Sequence, residues 1–282
     1  MILSGSASQT LAARIAAVTG EPLGAAEVKY FPDGELNVEV TETISNRAIV
    51  VISTISNDAH IEALLLQDAA RQAGAEEVVT VVPYPGYARQ NRKYQPGDIV
   101  SLRTVARALS PGTDRVVTVN PHEEDAEEMF DVPAVAIDAS HRLAEPLPND
   151  LADPVFLGTD ANARPLAESV REAYGAGAVD HLVPPAGSAA SEELSTVETA
   201  VDGRDVVFVD DFVATGATMS TAASAAADAG AERIIATCVH PLLASGAWSK
   251  LLRAGVEDMY ATDTLERIVS DVTVAPVIAD AL

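Results

Sequence analysis

The feature that most constrains this chain is the alternation of short β-branched apolar runs with helix-patterned segments. Runs such as "VVFV" (206–209) are apolar at every position, as strands buried on both faces of a parallel sheet are. Strands are expected at 2–5, 26–31, 36–40, 48–53, 77–83, 115–120 and 133–138, then at 154–159, 178–183, 205–210, 233–239, 257–262 and 273–278. Between them stand "SQTLAARIAAVTG", "AHIEALLLQDAARQAGA", "LRTVARALS", "ARPLAESVREAYGAG" and "ASGAWSKLLRAG", all patterned for helices. Such alternation specifies an α/β chain with mainly parallel, doubly wound sheets. "SHRLAEPLPNDLADP", with Pro146, Pro148 and Pro154, interrupts the pattern. Two domains are therefore expected, 1–140 and 141–282, with the last strand packing on the first of them.

Charge narrows the function. The 42 acidic residues outnumber 18 basic ones, for a net charge of −24, and only Lys29, Lys93 and Lys250 are lysines. That balance opposes nucleic acid and anionic membrane surfaces, both of which select basic patches. A hydrophobic content of 48% argues for a packed core rather than an acidic disordered chain. The acidic, lysine-poor surface is expected of a protein kept soluble in a very salty cytosol. No run approaches the roughly 20 apolar residues of a membrane span, and "MILSGSASQT" lacks the basic start of a signal peptide. The single Cys238 excludes an internal disulfide framework and fits a reducing, cytoplasmic setting.

The chemistry concentrates in "VVFVDDFVATGAT" (206–218). A buried strand delivers Asp210 and Asp211 to its carboxyl end, where open α/β sheets bind ligands. Thr215, Gly216, Ala217 and Thr218 then lead into the alanine-rich "MSTAASAAADAG". A turn entering a helix presents backbone N–H groups suited to a phosphate. A Walker loop would supply a lysine here; none is present. The pattern suits a sugar monophosphate, with the carboxylates free for hydroxyls or a magnesium-bound ligand. The same residues would also serve as a plain helix cap with two solvated carboxylates.

Four stretches in one order, "KYFPDGELNVEV" (29–40), "PYPGYARQNRKYQPGDIVSLRTVARAL" (83–109), "VNPHEEDAEEMFDVPAVAIDA" (119–139) and "VVFVDDFVATGATMSTA" (206–222), resemble the ribose-phosphate pyrophosphokinase family, archaeal type. The resemblance spans nearly the whole chain. It implies two phosphoribosyltransferase-like α/β domains and transfer of the pyrophosphoryl group of ATP to ribose 5-phosphate, with Mg2+. Locally, "FPDGELNV" reads as a hairpin turn; the resemblance puts Asp33, Gly34 and Glu35 near the adenine, at a site shared between subunits, which makes a homodimer the smallest assembly. It assigns Arg89 and Gln90 to ATP, with Arg92 and Lys93 as further candidates in that basic cluster. It gives His122 to the magnesium on ATP and Asp160 to a second metal position. Asp210 and Asp211 would meet ribose hydroxyls, and Ala214, Thr215, Gly216, Ala217 and Thr218 the 5-phosphate. His60, His141, His181 and His240 match no functional motif.

The resemblance has a gap. The family carries a Lys-x-Arg motif between the second-domain metal aspartate and the phosphosugar motif. The corresponding stretch 180–198, "DHLVPPAGSAASEELSTVE", has neither lysine nor arginine, and Pro184 and Ala186 stand at the aligned positions. Ala161, Asn162 and Ala163 replace the usual glycine-bearing loop after the aspartate. No residue is therefore assigned to the transition state. Two functions are consistent with these letters: a working synthetase whose missing cations come from another arginine or a partner subunit, and a paralogue that binds ATP or phosphoribosyl compounds in a hetero-oligomer without efficient transfer. A phosphoribosyltransferase would share 206–218 but would not need the N-terminal motifs.

Overall fold

The computed structural model describes residues 1–88, 90, 95, 97–122, 125–183, 199–244 and 246–282. Arg89, Arg92, Lys93, Pro184 and Ala186 lie outside the described residues.

Two compact units form. The first comprises 1–138 with 264–266 and 273–282, the second 139–263 with 267–272. In the first, β1 (Ile2–Ser4), β4 (Arg47–Val51), β5 (Glu77–Val82), β6 (Arg115–Val119) and β7 (Ala134–Ile137) lie side by side in that order, all parallel. The connecting helices are α1 (Gln9–Thr19), α2 (Asn57–Gln72) and α3 (Ser101–Leu109). β2 (Ala26–Tyr30) and β3 (Leu36–Val40) form a separate antiparallel hairpin. The parallel strands are buried on both faces: Ile49, Val50, Val51, Val81 and Val117 are fully enclosed, which is why their sequences run apolar instead of alternating. Helix α2 starts where Ser56 Oγ accepts the N–H of Ala59 at 3.1 Å, with Asp58 in the first turn, an ordinary N-cap against the helix dipole.

The second unit holds β8 (Val155–Gly158), β9 (Ala178–His181), β10 (Val206–Phe212), β11 (Ile234–His240) and β12 (Asp258–Ala261), with α4 (Arg164–Tyr174), α5 (Ala217–Asp228) and α6 (Ala247–Arg253). The sheet order is β12-β11-β10-β8-β9, again parallel throughout. After β8 the chain steps outward to β9, then returns to the other side of β8 as β10. Strand order thus reverses between β8 and β10, creating the crevice where such sheets take ligands.

One element departs from expectation. Residues 273–278 read as a strand, but Ala275–Asp280 is a helix, α7. Pro276 falls in the first turn, where its missing N–H costs nothing, and Thr273 Oγ1 accepts the Ala275 N–H at 3.2 Å. The "VTV" alternation before it contributes only an isolated bridge between Val272 and Thr262.

Candidate functional site

In the second unit the reversal point gathers carboxylates. Val206 to Val209 of β10 are fully buried, and the strand emerges at Asp210 and Asp211, which are half-buried. Parallel pairing sets Val209 opposite Gly158 of β8, so Thr159 and Asp160, just beyond Gly158, come to the same end of the sheet. The buried Thr159 hydroxyl donates to the Asp210 carboxylate, and Asp160 is near enough to act on its charge. Burial first, then the Asp211 carboxylate, and lastly Asp160 push the Asp210 carboxyl well above the ordinary aspartate range. Asp210 and Asp211 also order their own strand end, each accepting the next backbone N–H, at 2.9 and 2.8 Å. Asp160, exposed, accepts the N–H groups of Asn162 and Ala163 at 2.8 and 2.9 Å, closing the turn into α4.

Beyond β10, Thr215, Ala217 and Thr218 are exposed, Ala214 is half-buried and Gly216 is buried. Gly216 adopts the left-handed φ of 65° directly before α5, a conformation glycine takes at no steric cost. A Cβ there would lie 3.4 Å from both the Ala247 carbonyl oxygen and Leu251 Cγ, so α6 packs directly beneath the turn. The Ala217 N–H reaches the Thr215 hydroxyl at 3.4 Å, and Gly216 gives the 12-residue helix no side-chain cap, so the start of α5 is an electropositive seat for an anion.

In the first unit the candidates occupy the hairpin and the loops at the carboxyl ends of β5 and β6. Asp33, Gly34 and Glu35 are exposed at the hairpin tip. Gly34 donates to the Phe31 carbonyl at 2.9 Å and Asp33 Oδ1 accepts the Glu35 N–H at 3.2 Å. The β5 loop is anchored by two buried hydroxyls at the end of β4. Ser53 Oγ accepts the Tyr84 N–H at 3.2 Å, and Thr54 Oγ1 accepts the Gly86 N–H at 2.8 Å. Tyr87 takes a left-handed φ of 64°, strained for a non-glycine residue, and three contacts hold it. Its hydroxyl donates to Asn57 Oδ1 at 2.7 Å, the His60 ring meets it edge-on at 5.3 Å, and its carbonyl accepts the Gln90 N–H at 2.8 Å. Burial pushes the His60 pKa down, which favours the neutral ring. Gln90 Oε1 in turn accepts from Ser101 Oγ at 2.7 Å. His122 is exposed just after Asn120, which has φ 34° and donates through Nδ2 to Asp138 at 2.6 Å.

Sequence reasoning did not single out Thr159, Ser53, Thr54 or Tyr87, and it set His60 aside as matching no functional motif. For Thr159 a signal existed, a hydroxyl between a buried strand and a candidate carboxylate. The others act through partners distant in the chain and leave no local pattern.

Hard oxygen donors at the carboxyl ends of β8 and β10 fit magnesium, and a cation there would relieve the repulsion that raises Asp210. Among the described residues no three His, Cys, Asp or Glu side chains gather into a metal-holding group; magnesium commonly uses one or two carboxylates and completes its shell with phosphate and water. Among the described residues no helix is long and apolar enough to cross a membrane.

Comparisons with known proteins show the family and the fold. Residues 1–111 match the N-terminal domain of ribose phosphate pyrophosphokinase, and residues 125–277 match the phosphoribosyl transferase domain. The ribose-phosphate pyrophosphokinase of Halobacterium salinarum is 57% identical over 285 residues, covering 100% of both chains. That of Methanopyrus kandleri is 39% identical over 286 residues, covering 100% of this chain and 98% of its own. In fold, the phosphoribosylpyrophosphate synthetase from Mycobacterium smegmatis matches with a TM-score of 0.85 at 24% identity, over 100% of this chain and 96% of that one. With both domains matched and full-length relatives this similar, the chain belongs to the ribose-phosphate pyrophosphokinase family.

Proposed function

We infer that the chain is a ribose-phosphate diphosphokinase, forming phosphoribosyl pyrophosphate and AMP from ATP and ribose 5-phosphate. The observation that carries this is the pairing, at the strand-order reversal of the second unit, of the Asp160–Asp210–Asp211 carboxylates with an open anion seat at Gly216–Thr218. One end holds a phosphate and the other takes sugar hydroxyls, which matches ribose 5-phosphate in both chemistry and polarity.

The anomeric hydroxyl oxygen attacks the β-phosphorus of ATP, the new C1–O–Pβ link forms as the hydroxyl proton passes to solvent, and the bond from Pβ to the α,β-bridging oxygen breaks to release AMP. Such transfers need in-line placement and charge neutralisation more than covalent help. Backbone N–H groups of residues 214–218 hold the 5-phosphate and prevent the sugar from sliding. Asp210 and Asp211 accept from the ribose hydroxyls. Gln90, with Arg89, holds the polyphosphate, and Asp33, Gly34 and Glu35 belong to the adenine end. His122 and Asp160 would hold magnesium, which when bound supplies positive charge to the transferring phosphates. The assembly is at least a homodimer and the compartment cytoplasmic.

The stretch 180–198 has neither lysine nor arginine, the one feature that points to a paralogue binding these ligands without efficient transfer; the full-length relatives, named ribose-phosphate pyrophosphokinases, do not favour that reading. A direct assay separates the two. AMP release at molar salt, with ribose 5-phosphate present and then omitted, should reach on the order of 1 per second for a working enzyme. Ribose 5-phosphate-dependent release a thousandfold slower, with magnesium-ATP still bound, establishes the binding paralogue instead. Arg89→Ala should weaken magnesium-ATP binding about 10- to 100-fold, as loss of a charge-assisted bond does; unchanged affinity in calorimetry removes that loop from the ATP site.

A further inference from the structure

Helix α6 brings a lysine to the phosphate seat. Lys250 Nζ donates to the Thr215 carbonyl at 3.0 Å, and among the described residues no carboxylate pairs with it. An unpaired ammonium is unusual in a chain with 42 acidic residues and three lysines. Two parallel contacts fix the geometry: Leu243 and Ala244 donate to the carbonyls of Val213 and Ala214, each at 2.9 Å. The α6 segment therefore lies along the whole turn. No peptide bond is cis, so the Gly216 N–H points away from the Thr215 carbonyl across the same peptide plane. That N–H donates to no described protein group, which leaves it available to a ligand in the seat.

We propose that Lys250 is the positioning cation of the phosphate seat, polarising the Thr215–Gly216 peptide so that the Gly216 N–H binds the 5-phosphate. The proposal rests on the ribose 5-phosphate reading above. A bond to the carbonyl of an amide strengthens the N–H of that amide as a donor, and the ammonium adds direct attraction from behind the turn. That charge has work to do. The same strand carries Asp210 and Asp211 into the site, and the net charge of −24 repels any phosphate. A Walker lysine grips phosphate directly from within its loop, whereas Lys250 acts on it from a neighbouring helix through a peptide bond.

The test is calorimetric titration of the intact protein with ribose 5-phosphate, across potassium chloride from about 0.15 M to about 1 M, where the Debye length falls from about 8 Å to about 3 Å. Lys250→Gln keeps a donor but removes the charge; it should weaken binding about tenfold at the lower salt, consistent with losing one charge-assisted contact, and flatten the salt dependence. Lys250→Arg should restore both. Magnesium-ATP affinity and melting temperature should stay as in the wild type, as a purely structural role would not allow. Asp210→Ala combined with Thr218→Val tests the seat itself. If that double variant loses ribose 5-phosphate while Lys250→Gln binds with wild-type strength and salt slope, the Lys250 proposal is overturned and the seat stands. If the double variant binds normally, both fall together.

Discussion

At the residue scale, Asp210 shows what the site costs. Its carboxyl, pushed up by burial and by Asp211, is more readily protonated in the folded chain than in the unfolded one. The stability it contributes is complete below the ordinary aspartate pKa and is lost as pH rises through the raised value. Wherever Asp210 is ionised in the folded chain, it carries a charge that burial and Asp211 disfavour. Asp210→Asn should stabilise the magnesium-free protein at pH 7 by about 1 kcal/mol, or about 2–4 °C in melting temperature, while abolishing ribose 5-phosphate binding. The gain should shrink on acidification, and added magnesium should raise the wild type more than the variant. A variant no more stable than the wild type at pH 7 contradicts the charge crowding. The carboxylates themselves were visible in "VVFVDDF" because two acids interrupt a buried run. Thr159 was not singled out, since its bond to Asp210 depends on the register of β8 with β10, which periodicity does not reveal.

At the scale of elements, helix α1 shows how a local rule is replaced by a distant one. Ser8 stands at its N-cap but makes no side-chain cap bond; its hydroxyl instead accepts the Ser53 N–H at 2.9 Å. The first-turn donors go to Glu266. Its Oε1 accepts the N–H groups of Thr10 and Leu11 at 2.6 and 3.2 Å, and Oε2 accepts the Thr10 hydroxyl at 2.9 Å. An anion at a helix N-terminus also meets the positive end of the dipole. Glu266→Ala should therefore cost about 1–2 kcal/mol by denaturant unfolding, and Glu266→Gln less, since the amide oxygen still accepts. Equal stability of Glu266→Ala and wild type refutes the cap. "SQTLAARIAAVTG" showed that a helix would begin near Ser8, but the 256-residue separation from its capping carboxylate lies beyond any sequence pattern. The strand expected at 273–278 failed for a related reason. β-Branched alternation is a weak signal over so few residues, and Pro276 in the first turn of α7 together with the Thr273 bond favoured a helix. The buried parallel strands were legible because burial on both faces leaves a continuous apolar run.

At the scale of the whole molecule the decisive quantity is charge, which the sequence states without structure. A net charge of −24 over 282 residues repels itself wherever solvent does not screen it. In dilute buffer of about 0.01 M the Debye length is about 30 Å, so carboxylates right across a unit act on one another; at 1 M it is about 3 Å and only adjacent groups do. The folded state holds these charges closer together than the unfolded chain, so screening stabilises it. The relatives from Halobacterium salinarum, 57% identical over their full length, share the chain's family, and the acidic, lysine-poor composition is the kind that high salt keeps folded and soluble. Melting temperature should rise steeply as potassium chloride is raised from about 0.01 M to about 1 M. Salt also excludes itself from protein surfaces to some degree, so the control is sucrose at matched osmolality, which favours burial without screening. Charge repulsion requires that potassium chloride stabilise far more than sucrose, with the gain concentrated at the low-salt end. Equal stabilisation by the two solutes would assign the effect to solute exclusion, and a flat response to salt would show that the acidic surface carries no folding penalty in water.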